Sequence, residues 1–71
     1  MHRGRVVSVF VTRHYLFVSD FADGCEYFCH QNRFAPGTKF PNKDDVVSFD
    51  VTFDYGPRPQ AVNLKLAGGD Q

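Results

Sequence analysis

Apolar and polar residues alternate with a period of two in several short segments of the chain. The clearest is VVSFDVTFDY at residues 46–55, where one set of alternate residues is apolar and the other is polar. The apolar set is Val47, Phe49, Val51, Phe53 and Tyr55, and the polar set is Ser48, Asp50, Thr52 and Asp54. Because successive side chains of a strand point to opposite faces, this segment predicts a strand with a buried face and a solvent-facing face.

Four further segments are rich in the β-branched and aromatic side chains that pack well on a pleated surface. They are residues 3–12, 15–20, 25–30 and 60–66. A turn at residues 11–13 is predicted to join the first two into a hairpin. Five short strands and no helical pattern in 71 residues indicate a closed or nearly closed barrel, which leaves no sheet edge exposed. We expect a single all-β domain over residues 1–71, with a core at residues 3–66 and a polar tail at residues 67–71.

Turn residues separate the later segments. Asp23-Gly24 is the strongest signal, because Gly takes positive φ freely and Asp tolerates it, and it predicts a hairpin between the second and third strands. Residues 31–45 contain Asn, Pro, Gly and Asp, so we expect a long connection held against the barrel by Phe34 and Phe40.

The charge balance limits the ways in which this chain can bind nucleic acid. Lys and Arg together number 8, as do Asp and Glu, so the formal net charge is zero. The basic excess typical of electrostatic phosphate binders is missing, and binding has to depend on stacking or on local charge. No apolar run approaches the roughly 18 residues of a membrane span, and no signal-peptide pattern opens the chain, so we expect a soluble cytoplasmic protein without membrane contact.

Cysteine and histidine residues do not form a recognisable metal or catalytic motif. Four residues of extended strand separate Cys25 and Cys29 by about 13 Å, roughly twice the reach of a disulfide, so free thiols are predicted. A zinc site using both thiols, His30 and a remote His2 or His14 lacks the paired close spacings of structural zinc sites. Cys29 and His30 are consecutive in a strand and point to opposite faces, with the thiol toward the core. We therefore expect no enzyme activity, no metal and no cofactor.

Alternation places a set of aromatic side chains on one face of the second and third strands. Arg13, Tyr15 and Phe17 share a face in the second strand, and Phe28 and His30 share one in the third. A small barrel buries only one face of each strand, so we predict that this set is exposed. Stacking a base on an exposed aromatic ring contributes about 1–3 kcal/mol without regard to sequence. The alternative is that these rings are ordinary core residues.

The motifs along the chain resemble those of the cold-shock domain, whose pattern is GxVKWFNxxKGFGFI, then DG, then DVFVH, then GPQAxNV. The counterparts here are GRVVSVFVTRHYLFV from Gly4 to Val18, the Asp23-Gly24 pair, EYFCH ending at His30, and RPQAVNL ending at Leu64. The first block matches without a gap, and the later blocks follow in the same order. The resemblance implies a five-stranded antiparallel Greek-key barrel of the oligonucleotide-binding (OB) fold.

The resemblance also implies a nucleic-acid site on adjacent strands. Its residues are Arg13, Tyr15, Phe17, Phe28, His30, Arg5, Arg58 and Gln60. Arg13 resembles the basic residue that leads the family's first ribonucleoprotein motif, and the four ring residues stand at its base-stacking positions. Gln60 matches the glutamine of GPQA. Arg5 matches a basic position at the edge of the site, and Arg58 replaces a glycine and adds a phosphate contact.

The chain also departs from the family pattern. Ser8 stands where the family has its main stacking Trp, and apolar residues replace a neighbouring Lys and Phe, at Val7 and Val9. His14 replaces a glycine. Phe10 stands at an Asn position, where a shifted register would let it replace one lost ring. Two functions remain open: a monomeric binder of single-stranded RNA or DNA that acts as an RNA chaperone or transcription regulator, and a protein-interaction module on the same barrel.

Overall fold

Five strands close into a barrel in the computed structural model, which describes residues 1–67. The strands are β1 (His2–Phe10), β2 (Tyr15–Asp20), β3 (Glu26–His30), β4 (Val46–Thr52) and β5 (Gln60–Leu66). Two single-turn 3-10 helices join them, η1 (Val11–Arg13) after β1 and η2 (Gln31–Arg33) after β3. The predicted all-β barrel is confirmed. Within residues 1–67, no helix has the length and apolar character needed to cross a membrane.

The strand order around the barrel is β1-β2-β3-β5-β4, with β4 paired to β1. β4 therefore returns to lie beside β1 on the side opposite β2, which is the Greek-key arrangement predicted from the sequence. Four pairings are antiparallel, whereas β3 and β5 run parallel where Phe28 pairs with Gln60, so the barrel is mixed and not wholly antiparallel as expected from the resemblance. One parallel pairing is required, because an odd number of strands cannot alternate in direction around a closed ring.

Inward-facing side chains from all five strands fill the barrel. Its fully buried apolar residues are Val6, Leu16, Val18, Cys29, Val47, Phe49, Ala61 and Leu64. The long connection between β3 and β4 covers one part of this core, as predicted: Phe34 and Phe40 pack against it, with their ring centroids 5.4 Å apart. The core is therefore complete without the outer faces of β1, β2 and β3.

β1 contains an irregularity that changes which residues face outward. Val6 pairs with Val18, but the next paired residue of β1 is Ser8, opposite Phe17, so Val7 is an extra residue in a β-bulge. Strict alternation from Val6 turns Ser8 inward, whereas the bulge turns it outward. Gly4 lies before the bulge, where a Cβ atom would stand 2.1 Å from the Ser19 carbonyl oxygen, so only glycine fits this close approach of β1 to β2.

Strand ends differ from the sequence predictions. The first strand ends at Phe10 instead of residue 12, since Val11–Arg13 forms η1, and the third begins at Glu26 instead of residue 25. The side chain of Asp23 explains the later start, because its Oδ1 accepts the Cys25 amide at 2.9 Å and holds that residue in the turn.

The predicted strand over residues 46–55 is too long, and the prediction that Phe53 and Tyr55 face the core is wrong. β4 ends at Thr52, whose hydroxyl accepts the backbone amide of Asp54 at 3.2 Å and turns the chain. Phe53 and Tyr55 are consequently exposed, at 70% and 50%. Ser48 was predicted to face solvent but is buried, next to a register shift between β4 and β5. Residues 68–71 of the predicted polar tail lie outside the described residues.

Candidate nucleic-acid interface

Five ring-bearing side chains lie side by side on the outer surface of β1, β2 and β3. We call this surface the aromatic face, and it consists of Phe10, Tyr15, Phe17, Phe28 and His30. Ring centroids are 5.0 Å apart for Phe10 and Tyr15, 5.1 Å for Tyr15 and Phe28, and 5.8 Å for Phe17 and Phe28. His30 continues the series at 6.5 Å from Phe28. The rings therefore form one contiguous surface.

Strand register explains why these rings meet. In the pairing of β2 with β3, Tyr15 lies opposite His30 and Phe17 lies opposite Phe28. The residues between them in each strand are fully buried, so the rings occupy the outer face and are themselves partly exposed. The structure thus brings together the four ring residues selected from alternation. Their role in binding stays a prediction.

Phe10 is a member of the aromatic face that sequence reasoning did not include in the site. It pairs with Tyr15 across β1 and β2, and it is 40% exposed. The bulge at Val7 places it there, by shifting the alternation of β1 by one residue. The shifted register considered for Phe10 from the sequence is therefore present, although no Gly or Pro lies at Val7 itself to mark the bulge. Ser8, opposite Phe17, contributes no ring to this surface.

Arg13 does not continue the face of β2, contrary to the prediction. It is exposed in η1, and His14 separates it from β2 with a left-handed backbone at φ 66°. This conformation interrupts the strand, so alternation cannot be counted back from Tyr15 to Arg13. Glycine adopts positive φ at no steric cost, whereas His14 adopts it here with a Cβ atom.

His30 has one ring nitrogen available for a ligand. Its Nδ1 accepts the backbone amide of Asn32 at 3.1 Å, which caps η2. A nitrogen that accepts carries no proton, so the neutral ring carries its proton on Nε2 and can donate from there. A base carbonyl or a phosphate oxygen would be a suitable acceptor.

A pocket opens beside Phe17 and Phe28, where β5 meets β3. Its volume is about 250 Å³, and it is lined by Phe17, Glu26, Phe28, Arg58, Pro59 and Gln60. The Gln60 amide donates to the carbonyl of Tyr55 at 3.3 Å, whereas its Oε1 is buried and has no hydrogen-bond partner within residues 1–67. A buried acceptor without a hydrogen-bond partner costs free energy. The structure therefore brings Arg58 and Gln60 to the edge of the aromatic face.

Arg5 lies apart from the aromatic face. It is exposed on the outer surface of β1, opposite Ser19 of β2, and its guanidinium carbon lies 6.0 Å from the centroid of the Phe21 ring. Phe21 was not selected from the sequence. Elsewhere, the Arg33 guanidinium lies 3.5 Å over the Tyr55 ring, which holds the connection between β4 and β5 against η2.

The two thiols lie in different environments. Cys29 faces the core, as predicted, and burial raises the pKa of its thiol to about 12. Cys25 is exposed, and the nearby Asp23 carboxylate raises the pKa of its thiol. Within the described residues, no group of three or more His, Cys, Asp or Glu side chains is arranged to hold a metal ion.

A scan against protein-family models finds no family that matches the chain, and a search of curated proteins finds no relative. The resemblance to the cold-shock domain rests on the motifs quoted above and stays a prediction.

Proposed function

We propose that the protein binds single-stranded nucleic acid, RNA or DNA, on the aromatic face. The observation that carries this proposal is the contiguous set of five partly exposed rings on three neighbouring strands. Every base has a flat π-face, and stacking one on an aromatic side chain contributes about 1–3 kcal/mol. Three or four such contacts would support binding in the micromolar range.

The arrangement of the core supports a binding role for the aromatic face. Inward-facing residues already fill the barrel, so the rings of this face are not needed to complete it. A contiguous exposed apolar surface is uncommon in a monomer without a binding partner. The motif resemblance to the cold-shock domain supports the same assignment and suggests an RNA chaperone or a transcription regulator. Two free thiols are compatible with the reducing cytoplasm as its location.

Local charge provides the phosphate contacts. Arg58 borders the pocket beside Phe17, and Arg13 is exposed in η1, which directly follows Phe10. With a net charge of zero, we expect that binding neutralises only about two or three phosphates, at about 0.7 log units of affinity per phosphate per decade of salt. Stacking therefore contributes more than charge.

The test is a titration of labelled pyrimidine-rich RNA and DNA strands of about seven nucleotides at two salt concentrations, followed by fluorescence anisotropy. Tyr15→Ala and Phe28→Ala should each weaken binding by about tenfold or more, while urea unfolding shows that the barrel remains folded. Leu66→Ala is the matched control, because Leu66 is exposed on β5 with β4 between it and β1. Its affinity should equal that of the unmodified protein.

A protein-interaction module is the second candidate, because the aromatic face is apolar and the chain has no net charge. It predicts that single strands do not bind measurably at tens of micromolar. That result would refute nucleic-acid binding and leave the barrel assignment unaffected.

A further inference from the structure

A further exposed aromatic ring, outside the aromatic face, lies directly after the end of β2 and next to two arginines. We call it the Phe21 patch, and it consists of Phe21, Arg3 and Arg5. Phe21 is 56% exposed, and its backbone amide donates to the Arg3 carbonyl at 2.9 Å. This bond continues the pairing of β1 with β2 by one residue beyond Asp20. Arg5 is two residues after Arg3 in β1, and its guanidinium carbon lies 6.0 Å from the centroid of the Phe21 ring.

The Phe21 patch is in line with the aromatic face. Phe17 lies in β2 and Phe21 is the first residue of the turn after β2, so the two residues are at most about 13 Å apart at 3.3 Å per residue. Neighbouring ring centroids in the aromatic face are 5.0 to 6.5 Å apart, so this distance corresponds to about two such steps. Between the two rings, the outward residue of β2 is Ser19, and Arg5 lies opposite it on β1. The short Ser19 side chain leaves this part of β2 open for a strand to cross, with Arg5 beside it.

The charges beside this path differ between its two sides. Arg3 and Arg5 are both exposed on β1. On the other side, Ser19 pairs with Glu26 of β3, which is exposed and carries a negative charge. A phosphate backbone leaving Phe17 would thus be attracted toward β1 and repelled from β3. An open depression of about 380 Å³ next to Phe21 offers room beyond the ring; it is lined by Arg3, His2 and Asp20, among others, and the Asp20 carboxylate is paired with His2.

We propose that the Phe21 patch is a second contact site for the bound single strand, where a base stacks on Phe21 and Arg3 and Arg5 bind the phosphates that lead to it. This inference rests on the proposed function, since the aromatic face holds the first part of the strand. The complete binding site is then longer than the aromatic face. Bases stack on the aromatic face and on Phe21, and the strand between them crosses a gap of about two ring-to-ring distances.

The test compares a short strand of about four nucleotides with a long one of about eight. Phe21→Ala should weaken binding of the long strand by about tenfold and leave the short strand unaffected, whereas Phe21→Trp should retain the long-strand affinity. Arg3→Ala and Arg5→Ala should each lower the salt slope for the long strand by about 0.7. Lys39→Ala is the control for loss of one positive charge, because Lys39 is an exposed cation in the connection between η2 and β4 and should leave affinity and salt slope unchanged.

The outcomes separate this inference from the proposed function. If Tyr15→Ala weakens binding of both strands but Phe21→Ala weakens binding of neither, the second contact site is refuted and the proposed binding on the aromatic face is retained. Equal weakening of the short and long strands by Phe21→Ala also refutes it, because the effect would not depend on strand length. If the unmodified protein binds neither strand, both proposals fail.

Discussion

At the scale of single residues, two cysteines four positions apart have opposite environments. Cys25 is exposed in the turn after β2, where the carboxylate of Asp23 raises the pKa of its thiol. Cys29 is fully buried in β3, and burial raises the pKa of its thiol to about 12. Because the thiolate is the reactive form, both effects reduce reactivity, but only Cys29 is also inaccessible.

We predict that a chromogenic aromatic disulfide labels one thiol of the native protein and the second only after unfolding. The first reaction should be lost in Cys25→Ser and should accelerate in Asp23→Asn, because removal of the carboxylate lowers the pKa of the Cys25 thiol. Absorbance of the released thiolate measures both steps. Simultaneous reaction of the two thiols in the native protein would show that Cys29 is not enclosed by the core.

At the scale of elements, the end of β2 is held by one buried carboxylate. Asp20 Oδ1 accepts the backbone amide of Ala22 at 2.7 Å, and Oδ2 lies 2.6 Å from Nδ1 of His2 on β1. The Ala22 amide first, and His2 after it, hold the pKa of Asp20 below its usual 3.8, although burial acts in the opposite direction. The carboxylate thus joins the turn after β2 to the start of β1.

The lowered pKa of Asp20 has a consequence for acid stability. Because the folded pKa is below the unfolded value of 3.8, ionised Asp20 stabilises the fold fully above about pH 4, and this contribution is lost as the pH falls through the folded pKa. Asp20→Asn should lower the free energy of unfolding by about 1–3 kcal/mol near pH 7, and by progressively less in acid. Urea unfolding between about pH 2 and 7 measures the difference.

The control for this experiment is Asp54→Asn, which removes an exposed carboxylate from the connection after β4. It should change stability by less than about 0.5 kcal/mol near pH 7. A difference between Asp20→Asn and the unmodified protein that stays constant down to about pH 2 would rule out ionisation of Asp20 as the source of its stabilising effect.

At the scale of the whole molecule, a barrel of this length depends on very few large core residues. Small domains bury a smaller share of their surface than large ones, and their stability is correspondingly limited. Phe49 is the largest fully buried side chain, and His2 stacks on it at a centroid distance of 5.6 Å. Phe53, four residues later, is 70% exposed.

The two phenylalanines provide a matched pair of substitutions. Phe49→Ala should cost about 3–5 kcal/mol, because it leaves a cavity in the core, and this loss is comparable to the entire stability of many small domains. Phe53→Ala should change stability by less than about 0.5 kcal/mol. Urea or thermal unfolding measures both. Similar losses for the two variants would show that Phe53 is part of the core, as alternation alone predicts.

Predictions from the sequence succeeded where the signal was local. Alternation identified the buried faces of β2, β3 and most of β4, and Asp23-Gly24 identified the turn between β2 and β3. Four rings of the aromatic face were also found in this way. Predictions failed at strand ends, where Arg13 was assigned to the face of β2 and Phe53 to the core. The turn predicted at residues 11–13 is present as η1, and the bulge at Val7 provides the shifted register considered for Phe10.

The sequence by itself determined that this chain forms five strands and which turn residues separate them. Both features depend on near neighbours in the chain, since strands follow from the alternation of apolar and polar residues and turns from residues that accept positive φ. Only the tertiary structure decided how the strands register around the barrel. Register sets Phe10 beside Tyr15, Gln60 beside Phe28, and Phe21 next to Arg3. The strand order decides that the parallel pairing, which a closed ring of five strands requires, falls between β3 and β5. The pairs Gln60–Phe28 and Phe21–Arg3 join residues that are far apart in the chain, and the Phe10–Tyr15 pair depends on the bulge in β1, so packing of the whole barrel selects these contacts.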